Sequence, residues 1–283
     1  MKSVAIVIVD THEHRGMARL AIERTLRCNI GIKSVYSIAH KPTIQGEKFF
    51  PIKPISSLKE YSDIIINMLP YIVEEDHFFV VQWDGFVTRP ELWSDDFFAY
   101  DYIGAPWNAT NLPEGVDPET YAVGNGGFSF RSQKLLEAAR KIPVLLNAHP
   151  DQSHAEDVVL CRHYRSDLQA LGVVFAPRDI GYRFSTEEGT TGNHLGFHGV
   201  PNLPVYLNDQ VLIDHAFEII SRIHHEVSLI YLFVSFLRTR RLHAYQEFFN
   251  LLLANPSRLA NLRVILARAD VQIPLFEPDI ALA

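Results

Sequence analysis

Cysteine is nearly missing from this chain. Two residues, Cys28 and Cys161, stand among 283, and their spacing suggests neither a disulfide framework nor a zinc ribbon. A reducing cytoplasm fits that usage. Basic residues are also in deficit, with 26 Lys and Arg against 33 Asp and Glu and a formal net charge of −7. That balance argues against a protein that holds bare nucleic acid through a basic face. An anionic substrate remains open, but it must meet a local cation or a metal. Long apolar runs are absent too. The longest, VSLIYLFVSFL at 227–237, is too short to span a bilayer. The apolar start ends in VDTHEH, with no small-residue cleavage site, and reads as a first core strand rather than a signal peptide. Neither an internal repeat nor a low-complexity tract interrupts the chain.

Hydrophobic residues make up 47%, enough for a well-packed core. SVAIVIVD (3–10), SVYSIAH (34–40) and HFFVVQW (77–83) read as buried strands. Helical patterns lie between them. One of these, SSLKEYSDIIINML, opens on a capping box, Ser57 with Glu60. This alternation is the grammar of an α/β sheet. Further on, Pro90 opens a short helix, YDYIGAPW reads as an edge strand halted by proline, and a helix runs from Ser132 to about Lys141. SHAEDVVLCRHYRSDLQALG reads as one helix, capped by Ser153 with Glu156 and stopped by Gly172. VVFAP (173–177) reads as a last core strand, and from about Asn208 the pattern is helical. The expected layout is an α/β domain over 1–206 and a helical extension over 207–283.

Several short stretches carry chemistry. In VVQWDGFV, Asp84 and Gly85 form a turn pair, or the strand end presents an acid to a ligand with room beside it. VGNGGFSFRS is not a dinucleotide fingerprint, because the third glycine position falls on Ser129 and the stretch lies far from the first strand. It reads as a glycine turn, or as a loop that lets a sugar or diphosphate approach the backbone. Glu156 and Asp157 at a helix start suit the helix dipole, and a carboxylate aimed from there can act as a general base. His198 is a structural hydrogen-bonding group or, near a carboxylate and a divalent ion, a metal ligand. His12 and His14 form an HxH pair of the kind found in metal-dependent amidohydrolases, with further histidines at 149, 154, 163, 194 and 198. That hydrolase is an eight-fold β/α barrel, and the strand count here falls short. It stands as the alternative, beside a non-catalytic sugar-binding module.

Taken in order, VVQWDGFV, YDYIGAPW, VGNGGFSFRS, EDVVLC and GFHG resemble a glycosyltransferase-like family of bacterial and viral proteins labelled as a domain of unknown function. The likeness runs from about Ser57 to Gly199. It implies a GT-A fold, a Rossmann-like nucleotide-sugar-binding domain, and transfer of a sugar from a nucleotide-sugar donor to a glycan, lipid-linked or other hydroxyl acceptor. Surface polysaccharide or glycoconjugate synthesis is the implied setting, with a metal-assisted, inverting mechanism. Such enzymes carry a DxD motif that holds Mn²⁺ or Mg²⁺ against the donor diphosphate. Here Gln82-Trp83-Asp84 stands in its place, with one carboxylate instead of two. The resemblance puts Asp10, Thr11, Gln82, Trp83, Asp84, Asn125, Gly126 and Gly127 at the donor, and Asp84 and His198 at the metal. Asp157 takes the role of acceptor base, with Glu156 beside the acceptor. The apolar run at 227–237, followed by basic RTRRLH, suggests that the extension meets a second copy or the inner face of a membrane.

Overall fold

The computed structural model describes residues 2–107, 123–144, 146, 154–187, 192–255 and 258–259. The chain forms two compact units, Met1–Asn202 and Leu203–Ala283.

The first unit is an α/β structure around an open six-stranded sheet. Strands β1 (Val4–Val9), β2 (Ile32–Ala39), β3 (Lys48–Pro51) and β4 (His77–Val81) run parallel, in the spatial order β3-β2-β1-β4. Every residue of β1 and β4 is buried, as continuous apolar runs require when both faces of a sheet are covered. Helix α1 (Gly16–Thr25) follows β1 and buries Met17, Ala18, Ala21 and Ile22. Helix α2 (58–72) presents Ile65 and Leu69 to a core formed with Val7, Ile38, Phe78 and Val80. Ser57 caps it by accepting the Glu60 N–H, while the Glu60 carboxylate takes the N–H of Ser56. A wide π turn at Ile64–Met68 interrupts α2 just before Pro70. Proline has no N–H and crowds the carbonyl four residues back, so the local widening has a cause.

Beyond β4 the sheet changes direction. Strands β5 (Gly85–Val87), β6 (Tyr102–Gly104) and β7 (Ser129–Ser132) follow in sequence, and β7 pairs antiparallel with both β4 and β6. β6 is the far edge, and Pro106 just past it forms an isolated bridge with Val123. The helix expected at Pro90 is instead two short 3₁₀ turns, Pro90–Leu92 and Asp95–Ala99. Helix α3 (Gln133–Ala139) is capped by Ser132. The long helix expected after residue 153 is broken at Tyr164 into α4 (156–163) and α5 (Arg165–Ala170). Gly172, at φ 86°, sits beyond the end of α5, and the Val173 N–H reaches back to the Leu168 carbonyl, a glycine-terminated helix end. The stretch 173–177 contributes one bridge, Phe175 to Tyr102, rather than a strand. Helix α6 (Arg178–Phe184) leads to β8 (Ser185–Thr186) and β9 (Gly196–His198), which join β5 in a small sheet. Phe128 and Phe184 stack at 4.7 Å, with Phe79 and Phe130 at 4.9 Å, so an aromatic core underlies the glycine-rich stretch. The sheet has two edges, so the barrel of the hydrolase alternative is not the fold described here.

The second unit is helical: α7 (Leu203–Tyr206), α8 (Asp209–Asp214), α9 (Ala216–Arg222), α10 (Glu226–Arg238) and α11 (Leu242–Leu253). The apolar run lies in α10. Its Leu229, Leu232, Phe233 and Phe236 are buried, and Phe233 and Phe236 meet Tyr245 and Phe248 of α11 at 5.1 and 4.9 Å. Packing within the unit therefore covers these side chains, while Val227 and Tyr231 of the same run are exposed. No helix among the described residues is long and apolar enough to cross a membrane.

Candidate functional site

Chain direction reverses tightly where β4 ends. Gln82 and Gly85 exchange both backbone hydrogen bonds, at 2.9 and 3.0 Å, leaving Trp83 and Asp84 at the tip. Asp-Gly is therefore a turn in fact. Gly85 has no positive φ, so its missing side chain serves a close approach rather than a backbone twist. A Cβ there would lie 2.8 Å from the His198 ring and 3.0 Å from the Gly127 carbonyl oxygen.

The small sheet brings the late histidine to this turn. Gly85 pairs with His198 in the antiparallel register of β5 and β9, and the Gly199 N–H donates to the Asp84 carbonyl at 2.8 Å. His198 Nε2 then lies 3.1 Å from Gln82 Oε1 and 3.8 Å from Asp84 Oδ1. Its Nδ1 faces Glu187 Oε1 at 3.5 Å. Burial works against a charged imidazole, but the Asp84 and Glu187 carboxylates outweigh it and push the pKa up to about 9. The Gln82 amide nitrogen donates to the Tyr61 hydroxyl at 2.8 Å.

The glycine-rich stretch closes the other side. Asn125 Nδ2 donates to Glu187 at 2.9 Å, and its Oδ1 accepts the Gly127 N–H at 3.2 Å. The Gly126 N–H donates to Asp157 Oδ2 at 2.9 Å. A Cβ on Gly127 would fall 2.0 Å from His198 Nε2, and one on Gly126 would fall 2.4 Å from Glu156 Oε1. The two glycines thus let Glu156 and His198 pack directly against the backbone.

Asp157 is half-buried at the start of α4. Burial first, then the negative Glu156, push its pKa up to about 7, while the Val158 and Gly126 N–H groups and Arg131 pull the other way. Glu156 differs from expectation. It is 3% exposed, and its Oε1 accepts from the Arg131 guanidinium at 2.7 Å. An acceptor cannot touch it there. The residue before it, Ala155, provides no side-chain cap, and Ser153 lies outside the described residues.

Gln82, Asp84, Asn125, Gly126, Gly127, Asp157 and His198 are thus brought into one hydrogen-bonded and close-packed cluster. Trp83 is half-buried at the tip of the turn. Asp10 and Thr11 lie at the same edge of the sheet, since β1 runs parallel to β4 with Ile8 opposite Val81. Asp10 is buried, accepts the His12 N–H at 2.9 Å and lies 4.0 Å from Arg15; Thr11 accepts the Ile55 N–H at 2.9 Å. Tyr61, Arg131 and Glu187 are members that sequence reasoning did not single out. Tyr61 lies inside the span of family likeness and Arg131 inside the quoted VGNGGFSFRS stretch, while Glu187 lies outside every quoted motif. Among the described residues, no group of three or more His, Cys, Asp or Glu is arranged to hold a metal ion. His12 and His14 engage each other locally, His12 Nδ1 lying 3.1 Å from the His14 backbone nitrogen. His149 is outside the described residues.

Residues 46–198 match the family described as "Protein of unknown function (DUF5672)". That span is more than half of the chain. The chain belongs to this family. No curated protein sequence matches it. Solved structures similar to this DUF5672 chain include a glycosyltransferase involved in the glycosylation of the major capsid of PBCV-1, with 13% identity, a TM-score of 0.45 and coverage of 69% of this chain and 92% of that one. The galactosyltransferase LgtC, in complex with donor and acceptor sugar analogs, is 13% identical with a TM-score of 0.43, covering 69% and 86%. The mannosyltransferase PcManGT from Pyrobaculum calidifontis, in complex with GDP-Man and Mn²⁺, is 10% identical with a TM-score of 0.43, covering 95% and 81%. These likenesses are distant.

Proposed function

We propose that the chain is a glycosyltransferase that moves a sugar from a nucleotide-sugar donor to a hydroxyl acceptor with inversion. One observation carries this reading: consecutive glycines join two chemically different poles. Gly126 hydrogen-bonds the half-buried Asp157, and Gly127 packs on His198, which neighbours Asp84. The cluster lies beyond the carboxyl end of β4, at the edge where open α/β sheets bind ligands.

In this reading the acceptor hydroxyl attacks the anomeric carbon from the face opposite the diphosphate. A new C–O bond forms, the bond to the diphosphate breaks, and the leaving group takes the electron pair. Asp157 receives the hydroxyl proton, and a carboxylate that titrates near neutrality suits that work at neutral pH. Asp84 would supply a hard oxygen, and His198 an imidazole nitrogen only once a bound cation displaces the proton that Asp84 and Glu187 favour on the ring. That donor chemistry fits Mg²⁺ or Mn²⁺, which share few protein ligands with substrate phosphates. When bound, such a cation neutralises the charge that develops on the diphosphate. Gln82 and Glu187 orient the His198 ring, and Asn125 ties Glu187 to the glycine loop. A glycan or lipid-linked acceptor in surface polysaccharide or glycoconjugate synthesis is the proposed setting.

The experiment is a thermal-shift screen of nucleotide sugars with and without Mn²⁺, since a ligand of the folded state raises the melting temperature. It is followed by detection of released nucleoside diphosphate. Wild type should respond to one donor, and Asp84→Ala should lose that response while keeping its fold. Equal donor affinity in Asp84→Ala would remove the diphosphate pole. Donor binding without any sugar transfer or donor hydrolysis would favour the sugar-binding module.

A further inference from the structure

We propose that the buried Arg131–Glu156 ion pair is a positioning device for Asp157, holding the Gly126 carbonyl while Asp157 holds the Gly126 N–H, and fixing the charge beside its carboxylate. The inference rests on the reading of Asp157 as the base.

Arg131 on β7 and Glu156 on α4 are 1% and 3% exposed and meet at 2.7 Å. Burying two charges incurs a desolvation cost that their attraction offsets only with good geometry and further hydrogen bonds. Glu156 Oε2 is buried without a hydrogen-bonding partner, so this pair is not built for stability alone. Its geometry converges on one residue. Arg131 Nη2 donates to the Gly126 carbonyl at 3.3 Å, and Nε donates to Ser129 Oγ at 2.9 Å. Ser129 Oγ in turn donates to the same carbonyl at 3.0 Å. Asp157 accepts the N–H of that glycine, so Gly126 is held at both of its backbone groups. Glu156 and Asp157 are adjacent in α4, and moving the pair would move the base.

The groups that face Asp157 come from several elements. Tyr61 on α2, Tyr102 on β6 and Arg131 on β7, with Glu156 and Cys161 on its own helix, interact electrostatically with Asp157, and His198 on β9 feels its charge at longer range. Burial raises both tyrosines and Cys161, which keeps them neutral. Glu156 is the anion of the set, and Arg131 and His198 are the cations. Glu156→Gln removes the anion and leaves the guanidinium uncompensated. Both changes favour ionised Asp157. Arg131→Met does the reverse, and general damage to the fold would not move the carboxylate in opposite directions.

The test is a pH titration of protein labelled with ¹³C in the Asp carboxyl groups, followed by NMR, with the Asp157 signal identified by its loss in Asp157→Asn. Wild type should titrate at about 7, and Glu156→Gln should titrate about one pH unit lower or more. Arg131→Met should titrate higher. If that variant does not fold, Arg131→Lys keeps the charge, so its midpoint should hold while the loss of the Gly126 contact weakens donor binding. An unmoved midpoint in Glu156→Gln would overturn the proposal. The titration needs no substrate. A shifted midpoint in a protein that binds no nucleotide sugar would uphold the device and overturn the glycosyltransferase reading instead.

Discussion

His198 Nε2 lies 3.1 Å from Oε1 of Gln82, a residue 116 positions earlier. The amide nitrogen of the same side chain donates to Tyr61, which fixes the glutamine's orientation and turns its oxygen to accept from the His198 Nε2–H. Gln82 thus works as an orienter of the His198 ring. Gln82→Leu keeps the approximate volume but removes both contacts. About 1–2 kcal/mol of stability should be lost, as for other half-buried polar groups deprived of a partner, and donor affinity should fall with it. Urea denaturation and calorimetry with the donor found by the thermal screen measure the two effects. Unchanged donor affinity would show that the orientation of His198 does not matter to binding.

Asp157→Asn separates binding from chemistry. The hydroxyl of an acceptor is a weak nucleophile until its proton is taken, and a positioned base contributes on the order of a hundred- to ten-thousand-fold. The variant should bind donor nearly as wild type does and lose about that factor in single-turnover transfer. In wild type the rate should rise with pH as Asp157 ionises, levelling above about 7. Full activity in Asp157→Asn would eliminate the base.

Legibility in the sequence followed from how local each cause is. β1 could be read because six consecutive buried residues need six apolar side chains, and α2 because Ser57 caps within one turn. The extension reads as helical for the same reason. β3 was not anticipated, since its four residues are exposed or half-buried at the sheet's edge and carry no alternation. Conversely, 173–177 looks like a strand but forms a single bridge. In the site, Asp84, Asn125, Asp157 and His198 stood out through motif likeness. Arg131 sits in the quoted VGNGGFSFRS stretch, but its partner is not legible there, and Glu187 has no local signature, because an ion pair 25 residues apart and a carboxylate facing a ring on another strand arise from tertiary folding. Glu156 follows the same rule: its helix-start position is local, but its partner Arg131 is not.

Acid sensitivity should trace in part to His77. The ring stacks on Phe130 at 5.2 Å and meets Phe98 edge-on. Burial first, then Lys2, lower its pKa from 6.5 to about 4. Between those values the unfolded chain takes up a proton that the folded protein refuses. Stability is therefore lost as pH falls through that window, and the contribution is absent above it. His77→Phe retains an aromatic ring beside Phe130 and has nothing to protonate. Its melting temperature relative to wild type should be more favourable at pH 5 than at pH 8. The same difference at both values would clear His77 of the effect.

The last prediction concerns the turn between α10 and α11. Arg240 has φ 56°, the one non-glycine residue with positive φ among those described. It follows the helix end, where the Arg240 N–H bonds the Leu237 carbonyl and the Arg241 N–H reaches back to Phe236 at 2.9 Å. This is the hydrogen-bond pattern in which glycine is the usual residue at the left-handed position. An L-residue incurs roughly 1–2 kcal/mol there from the close approach of its Cβ to the carbonyl. Glycine avoids that cost but brings a larger unfolded-state entropy, which offsets part of the gain. The balance favours Arg240→Gly by roughly 0.5–1 kcal/mol. Arg240 is exposed, so removing its side chain costs little packing. The midpoint of urea denaturation should rise without a change in slope. A lower midpoint would mean that the arginine side chain contributes more than the backbone strain costs.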